Sequence, residues 1–216
     1  MREISVHEKD LNVEDISKME KLINWPYPRV IKIKNMVDMN EFLSVFDDES
    51  LFYSYNGNST ILCGLTTIKT KTINQYIFSD IIETPMYKTM NKYFPRFEFD
   101  VKYVVSRIYC GESGTGSHFH YHPSALNYLI SGKKLWVMLP PTLKNTNYYH
   151  KNMEYCSTGK TPIEWLDINL PHMLKNLDNV YMFTQDEKTC VFIPENWYHF
   201  VANLTDVVGI TYSWKI

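Results

Sequence analysis

Three of the chain's seven histidines stand at alternate positions, 118, 120 and 122, in Gly114-Thr-Gly-Ser-His-Phe-His-Tyr-His-Pro123. On a β-strand, side chains at i, i+2 and i+4 share a face. A strand through this run would project the three imidazoles together and turn Phe119 and Tyr121 the other way. Imidazole nitrogens are good ligands for iron, zinc, copper and nickel. Two of them, with a third from a distant strand, would cap one face of an ion and leave its other positions open. The distant candidate is His199, in Ile193-Pro-Glu-Asn-Trp-Tyr-His-Phe-Val-Ala-Asn-Leu204, where aromatic and aliphatic neighbours would shelter a metal from water. The plain alternatives are a surface histidine patch for the triple and a hydrogen-bonded core residue for His199.

The elements that must position these residues read as short strands. Val101–Tyr109, Leu126–Ile130, Leu135–Leu139, Cys190–Ile193 and Val207–Trp214 are β-rich runs. Turn signals at Ser131-Gly132, Pro140-Pro141 and Pro194-Glu-Asn bound several of them. Repeated short strands imply a sandwich or barrel. Residues 142–178 interrupt them, with Thr161-Pro-Ile-Glu-Trp-Leu a helix start, and read as an insertion on one face. Upstream, 29–34 alternate as a strand, while 38–47 and 84–94 carry helical patterns.

The chain has 216 residues, 44% of them hydrophobic and 15% aromatic, which suits one folded domain with a sizeable core. A net charge of −2 and a pI near 6.4 give no global footprint for nucleic acid. The N-terminus lacks an apolar core of the secretory kind, and no apolar run approaches the roughly 20 residues of a membrane span. A cytoplasmic or nuclear location is therefore expected, with Cys63, Cys110, Cys156 and Cys190 as thiols rather than disulfides.

Three blocks in order, His118-Phe-His120, Leu126-Asn-Tyr-Leu-Ile-Ser-Gly-Lys-Lys134-Leu-Trp136-Val-Met-Leu-Pro-Pro141 and Val191-Phe-Ile-Pro-Glu-Asn-Trp-Tyr-His199, resemble a JmjC domain. The resemblance covers about 100–216, and Tyr27-Pro-Arg-Val-Ile-Lys-Ile33 is similar to the lead-in of small JmjC hydroxylases. It implies a mainly β fold with flanking helices, the double-stranded β-helix of the jelly-roll or cupin type. Residues 1–99 would supply supporting elements and 100–216 the core of a single domain. It also implies Fe(II) and 2-oxoglutarate as cofactors and a protein or peptide as substrate. The metal ligands would be His118, His120 and His199, or, in the alternative frame, His120, His122 and His199. The first frame keeps the Gly-Thr-Gly-x-His spacing. The second matches a divergent JmjC branch with a Phe-His-Trp-His segment. By position, Lys134 would pair with the far carboxylate of 2-oxoglutarate, helped by Thr115, Asn127 and Thr211. A cation beside a hydroxyl is what a buried carboxylate needs. The family pattern has Asp or Glu at the second ligand, where this chain has histidine. The expected function is a 2-oxoglutarate-dependent hydroxylase. The alternative is a catalytically impaired JmjC relative acting as a protein-interaction module.

Overall fold

A computed structural model describes residues 6–11, 25–33, 40, 42, 51–56, 59–64, 76–80, 103–153 and 160–215. Thirteen strands and two helices whose bounds are described lie in this part of the chain. The strands are β1 (Val6–Leu11), β2 (Arg29–Ile33), β3 (Leu51–Asn56), β4 (Ser59–Gly64), β5 (Tyr76–Asp80), β6 (Tyr103–Gly111), β7 (Gly116–His120), β8 (Ser124–Ser131), β9 (Lys133–Leu139), β10 (Tyr181–Asp186), β11 (Thr189–Ile193), β12 (Tyr198–Asn203) and β13 (Val207–Lys215). They form a larger sheet ordered β1-β2-β11-β8-β13-β6-β5-β3-β4 and a smaller one ordered β10-β9-β12-β7. All neighbours but β1 and β2 are antiparallel, and the central ones (β2-β11-β8-β13-β6 and β9-β12-β7) are not adjacent in sequence, the topology of a jelly roll. The chain has the expected cupin-type fold.

The two faces of the smaller sheet have different partners. Lys134, Trp136 and Met138 of β9 pair in register with Asn203, Val201 and His199 of β12. This face looks across at the larger sheet, where Trp136, Met138 and Val201 pack with Ala125, Val191 and Ile193. The other face carries Phe119, Val137, Leu139, Tyr198 and Phe200. It is covered by α1 (Leu143–Asn152) and α2 (Pro162–Asn176) through Tyr149, Trp165, Leu166 and Met173. Strand alternation thus separates an interior wall from a surface buried under helices.

Local chemistry fixes the helix starts. The Thr142 side chain accepts the Asn145 N–H at the head of α1. Thr161 and Glu164 form a reciprocal capping box ahead of Pro162, the start signal read in the sequence. Strand β2 spans the alternating run at 29–33. Of the helical pattern at 38–47 only Asn40 and Phe42 are described, both helical. The pattern at 84–94 lies outside the described residues. Cys110 and Cys190 are buried thiols. Among the described residues, no helix is long and apolar enough to cross a membrane.

Candidate metal centre

Strands β7 and β12 bring the candidate ligands together. His120 lies directly opposite His199 in the antiparallel pair, with ring centroids 4.2 Å apart. The His122 ring follows at 4.5 Å from His199. One ring nitrogen from each of His120, His122 and His199 lies within 4.8 Å of the other two. Nitrogens on adjacent positions of an ion stand about 3 Å apart when each bond is about 2.1 Å. Among the described residues, no carboxylate joins the trio.

Each ring is oriented by a backbone carbonyl. Nδ1 of His120 bonds the carbonyl oxygen of His118 at 2.7 Å, Nδ1 of His122 that of Pro123 at 2.6 Å, and Nδ1 of His199 that of Trp197 at 2.9 Å. A carbonyl only accepts, so each Nδ1 carries the proton and each Nε2 keeps its lone pair. Such outer bonds hold metal-binding histidines in the correct tautomer. Burial lowers the proton affinity of all three rings, and mutual proximity adds to this in His122 and His199. His122 is pushed down to about 4. Neutral imidazoles are the ligating form.

His118 is not in the trio. His199 pairs with His120, but Val201, two residues on, pairs with Ser117, three residues back. Strand β7 thus holds one extra residue, a β-bulge, and the strict alternation assumed for 118, 120 and 122 fails there. The His118 ring sits 6.0 Å from that of Trp165 and 6.3 Å from that of Phe200. That is the helix-covered face. The frame favoured by the Gly-Thr-Gly-x-His spacing placed His118 with His120 and His199. The structure instead gathers the set of the alternative frame.

Deeper between the sheets lies Lys134, fully buried, its Nζ without a hydrogen-bond partner. The amine stands 3.3 Å from the centroid of the Tyr109 ring, and burial holds its pKa well below the usual lysine value. Around it runs a polar chain. The Tyr109 hydroxyl donates to Asn127 Oδ1 at 2.7 Å, and Asn127 Nδ2 donates to Thr211 Oγ1 at 2.9 Å. Asn203, opposite Lys134 in register, donates from Nδ2 to Thr115 Oγ1 at 2.9 Å. Its Oδ1 is buried without a partner. The four positions named from sequence therefore divide between two linked groups. Lys134 and Asn127 meet at Tyr109, Thr211 joins through Asn127, and Thr115 joins through Asn203, opposite Lys134.

Sequence reasoning missed Tyr109, Tyr76 and Asn203. Tyr76 lies 5.8 Å from the Lys134 amine and bonds Ser117. Period-2 alternation groups Tyr109 with Arg107 and Val105 on one face of β6, but no motif marks that face as the interior. An unpartnered buried amine is costly unless an anion joins it. Three neutral imidazoles and one buried amine without a partner fit a divalent metal and a dicarboxylate.

A jelly-roll barrel with imidazoles converging between its sheets belongs to the cupin class. The chain belongs to the family described as "Cupin-like domain", whose model matches residues 34–215. It is 31% identical over 111 residues to the mouse protein named 2-oxoglutarate and iron-dependent oxygenase JMJD4, a match covering 50% of this chain and 25% of the relative. To the human protein of that name it is 25% identical over 142 residues, 62% of this chain and 33% of the relative. To the rat JmjC domain-containing protein 8 it is 28% identical over 99 residues, 46% of this chain and 33% of the relative. These matches span a quarter to a third of the relatives' lengths. The chain is thus a JmjC-type cupin related to iron- and 2-oxoglutarate-dependent oxygenases.

Proposed function

We propose that this chain is an Fe(II)- and 2-oxoglutarate-dependent oxygenase that hydroxylates a protein side chain, with His120, His122 and His199 as the iron ligands. Lys134 is the observation that carries the reading. A buried amine with no partner, inside the barrel that gathers three lone-pair-bearing imidazoles, calls for a dianion spanning the space between them. When bound, the metal and cosubstrate supply the activation of O₂ and the oxidation of a C–H bond.

The protein's own groups bind and orient. Lys134 meets the far carboxylate, and Thr211, already bonded to Asn127, offers its hydroxyl beside it. The Nδ1–H bonds to carbonyls fix the imidazole planes before loading. Trp136, Met138 and Val201 line the interior and exclude water. Among the described residues no carboxylate joins the trio, so the anion that would offset the metal's charge would be the cosubstrate's near carboxylate. A protein side chain as substrate rests on the JmjC resemblance.

Among the described residues no carboxylate joins the trio, which favours a second reading, a JmjC-type interaction module with a structural metal. Anaerobic addition of Fe(II) and 2-oxoglutarate separates the two. A visible charge-transfer band that requires both additions is the expected result. Iron retention without the band, or no retention at all, favours the module.

A further inference from the structure

The metal reading leaves His118 without a task. Its carbonyl is the acceptor for Nδ1–H of His120 at 2.7 Å, so the His120 ring follows the plane of the 118 peptide. That peptide lies in the bulge, where the pairing with β12 shifts register between Ser117 and His120. Its anchorage lies on the other face. The His118 ring packs edge-on to Trp165 of α2 and against Phe200, and Phe119 packs on the same two rings at 5.8 and 5.6 Å. The His118 ring is in hydrogen-bonding reach of the backbone of Lys160, the residue before the N-cap of α2. Since Nδ1 is buried without a partner, the nitrogen that reaches Lys160 is Nε2. Leaving Nδ1 unsatisfied is a cost an apolar residue would avoid, so the approach of the other ring nitrogen to the Lys160 backbone is the property histidine adds here.

We propose that His118 is a positioning residue: it latches the α1–α2 insertion onto β7 and so fixes the carbonyl that orients the metal ligand His120. The inference rests on His120, His122 and His199 being the metal ligands. Loss of an outer partner of a ligating histidine costs roughly 10- to 100-fold in metal affinity. The latch predicts that size of effect for a residue on the far side of the sheet from the ion, and for its partner on the helix.

Co(II) is the probe, titrated into the metal-stripped full chain and followed by its visible ligand-field bands. Wild type, His118→Gln, His118→Leu and Trp165→Phe are compared after thermal melts establish that each is folded. His118→Gln keeps an N–H near the Nε2 position and should bind within about threefold of wild type with an unchanged spectrum. His118→Leu should bind at least about tenfold more weakly with altered band intensities. Trp165→Phe, which leaves every β7 residue in place, should shift in the same direction. His118→Leu with wild-type affinity and spectrum overturns the latch. Loss of binding in both His118 variants also overturns it, since His118 is then a ligand itself. Should His118→Leu not fold, an unchanged Trp165→Phe overturns it. Folded wild type that binds no Co(II) refutes the metal reading, and the latch with it.

Discussion

Replacing Lys134 with Met separates the cost of the buried amine from its use. Methionine keeps an unbranched chain of similar length and fills the same space. In the ligand-free protein the change removes a fully buried amine that has no hydrogen-bond partner. Burial of an ionised amine costs several kcal/mol even after relaxation. The opposing loss is the contact with the Tyr109 ring at 3.3 Å, worth about 2 kcal/mol when desolvated. The balance favours the variant, so Tm should rise, by about 2–4 °C for each kcal/mol gained in a chain of this size. With cosubstrate the sign reverses. A carboxylate left buried beside Met forfeits about 3–5 kcal/mol, a roughly 150- to 4,000-fold weaker Kd for 2-oxoglutarate. Metal affinity should hold, because the amine lies at the far end of the cosubstrate. Calorimetric titration with 2-oxoglutarate in the presence of Mn(II), together with thermal melts, reads both effects. A lower Tm with unchanged 2-oxoglutarate affinity would refute the reasoning and make Lys134 structural.

His120→Ala, His122→Ala and His199→Ala should each lose iron on dialysis, a larger deficit than the roughly 10- to 100-fold of an outer partner; retention by His122→Ala would return the ligand set to the 118/120 frame. The metal-free protein should lose stability on acidification. All three rings have native proton affinities below the usual histidine value, with His122 at about 4. Between about pH 6.5 and pH 4 the unfolded chain therefore binds more protons than the native one. Stability is full above that window and falls through it, by up to about 1.4 kcal/mol per pH unit per histidine. Urea midpoints at about pH 7.5 and about pH 5 check this, and a flat or rising midpoint on acidification contradicts it. Gly116→Ala should cost about 1–3 kcal/mol and weaken metal binding. Gly116 has φ +152°, and an added Cβ would run into the Val201 carbonyl, which disturbs the pairing that sets His120 against His199. Chemical denaturation and metal titration of that variant measure both effects.

Much of the barrel was legible because its strands carry their own patterns. The runs at Leu126, Leu135, Cys190 and Val207 became β8, β9, β11 and β13, bounded by the turn residues that marked them. The helix start at Thr161 was legible through the same capping chemistry the structure shows. His199 was singled out by its apolar setting. Both ligand frames were legible, but which of them the fold gathers was not, because period-2 reasoning holds only in a regular strand. The bulge after Ser117 depends on how β7 pairs with β12, a long-range fact. His122 lies beyond the end of β7, in a loop tied to the turn before β12 by the bond from Asn196 N–H to its carbonyl. No local pattern announces that. Tyr76 and Tyr109 were missed for a related reason. A tyrosine in a strand is ordinary, and only the sheet-to-sheet packing turns these two toward Lys134.

The central claim is that His120, His122 and His199 hold the metal while Lys134 holds the cosubstrate. A crystal of the full chain grown anaerobically with Mn(II) and 2-oxoglutarate, with data at the manganese absorption edge, tests it directly. The account predicts one anomalous peak about 2.2 Å from Nε2 of each of these three histidines, with the far carboxylate of the cosubstrate on the Lys134 amine. A peak ligated by His118, or a cosubstrate that leaves Lys134 unpaired, would contradict it.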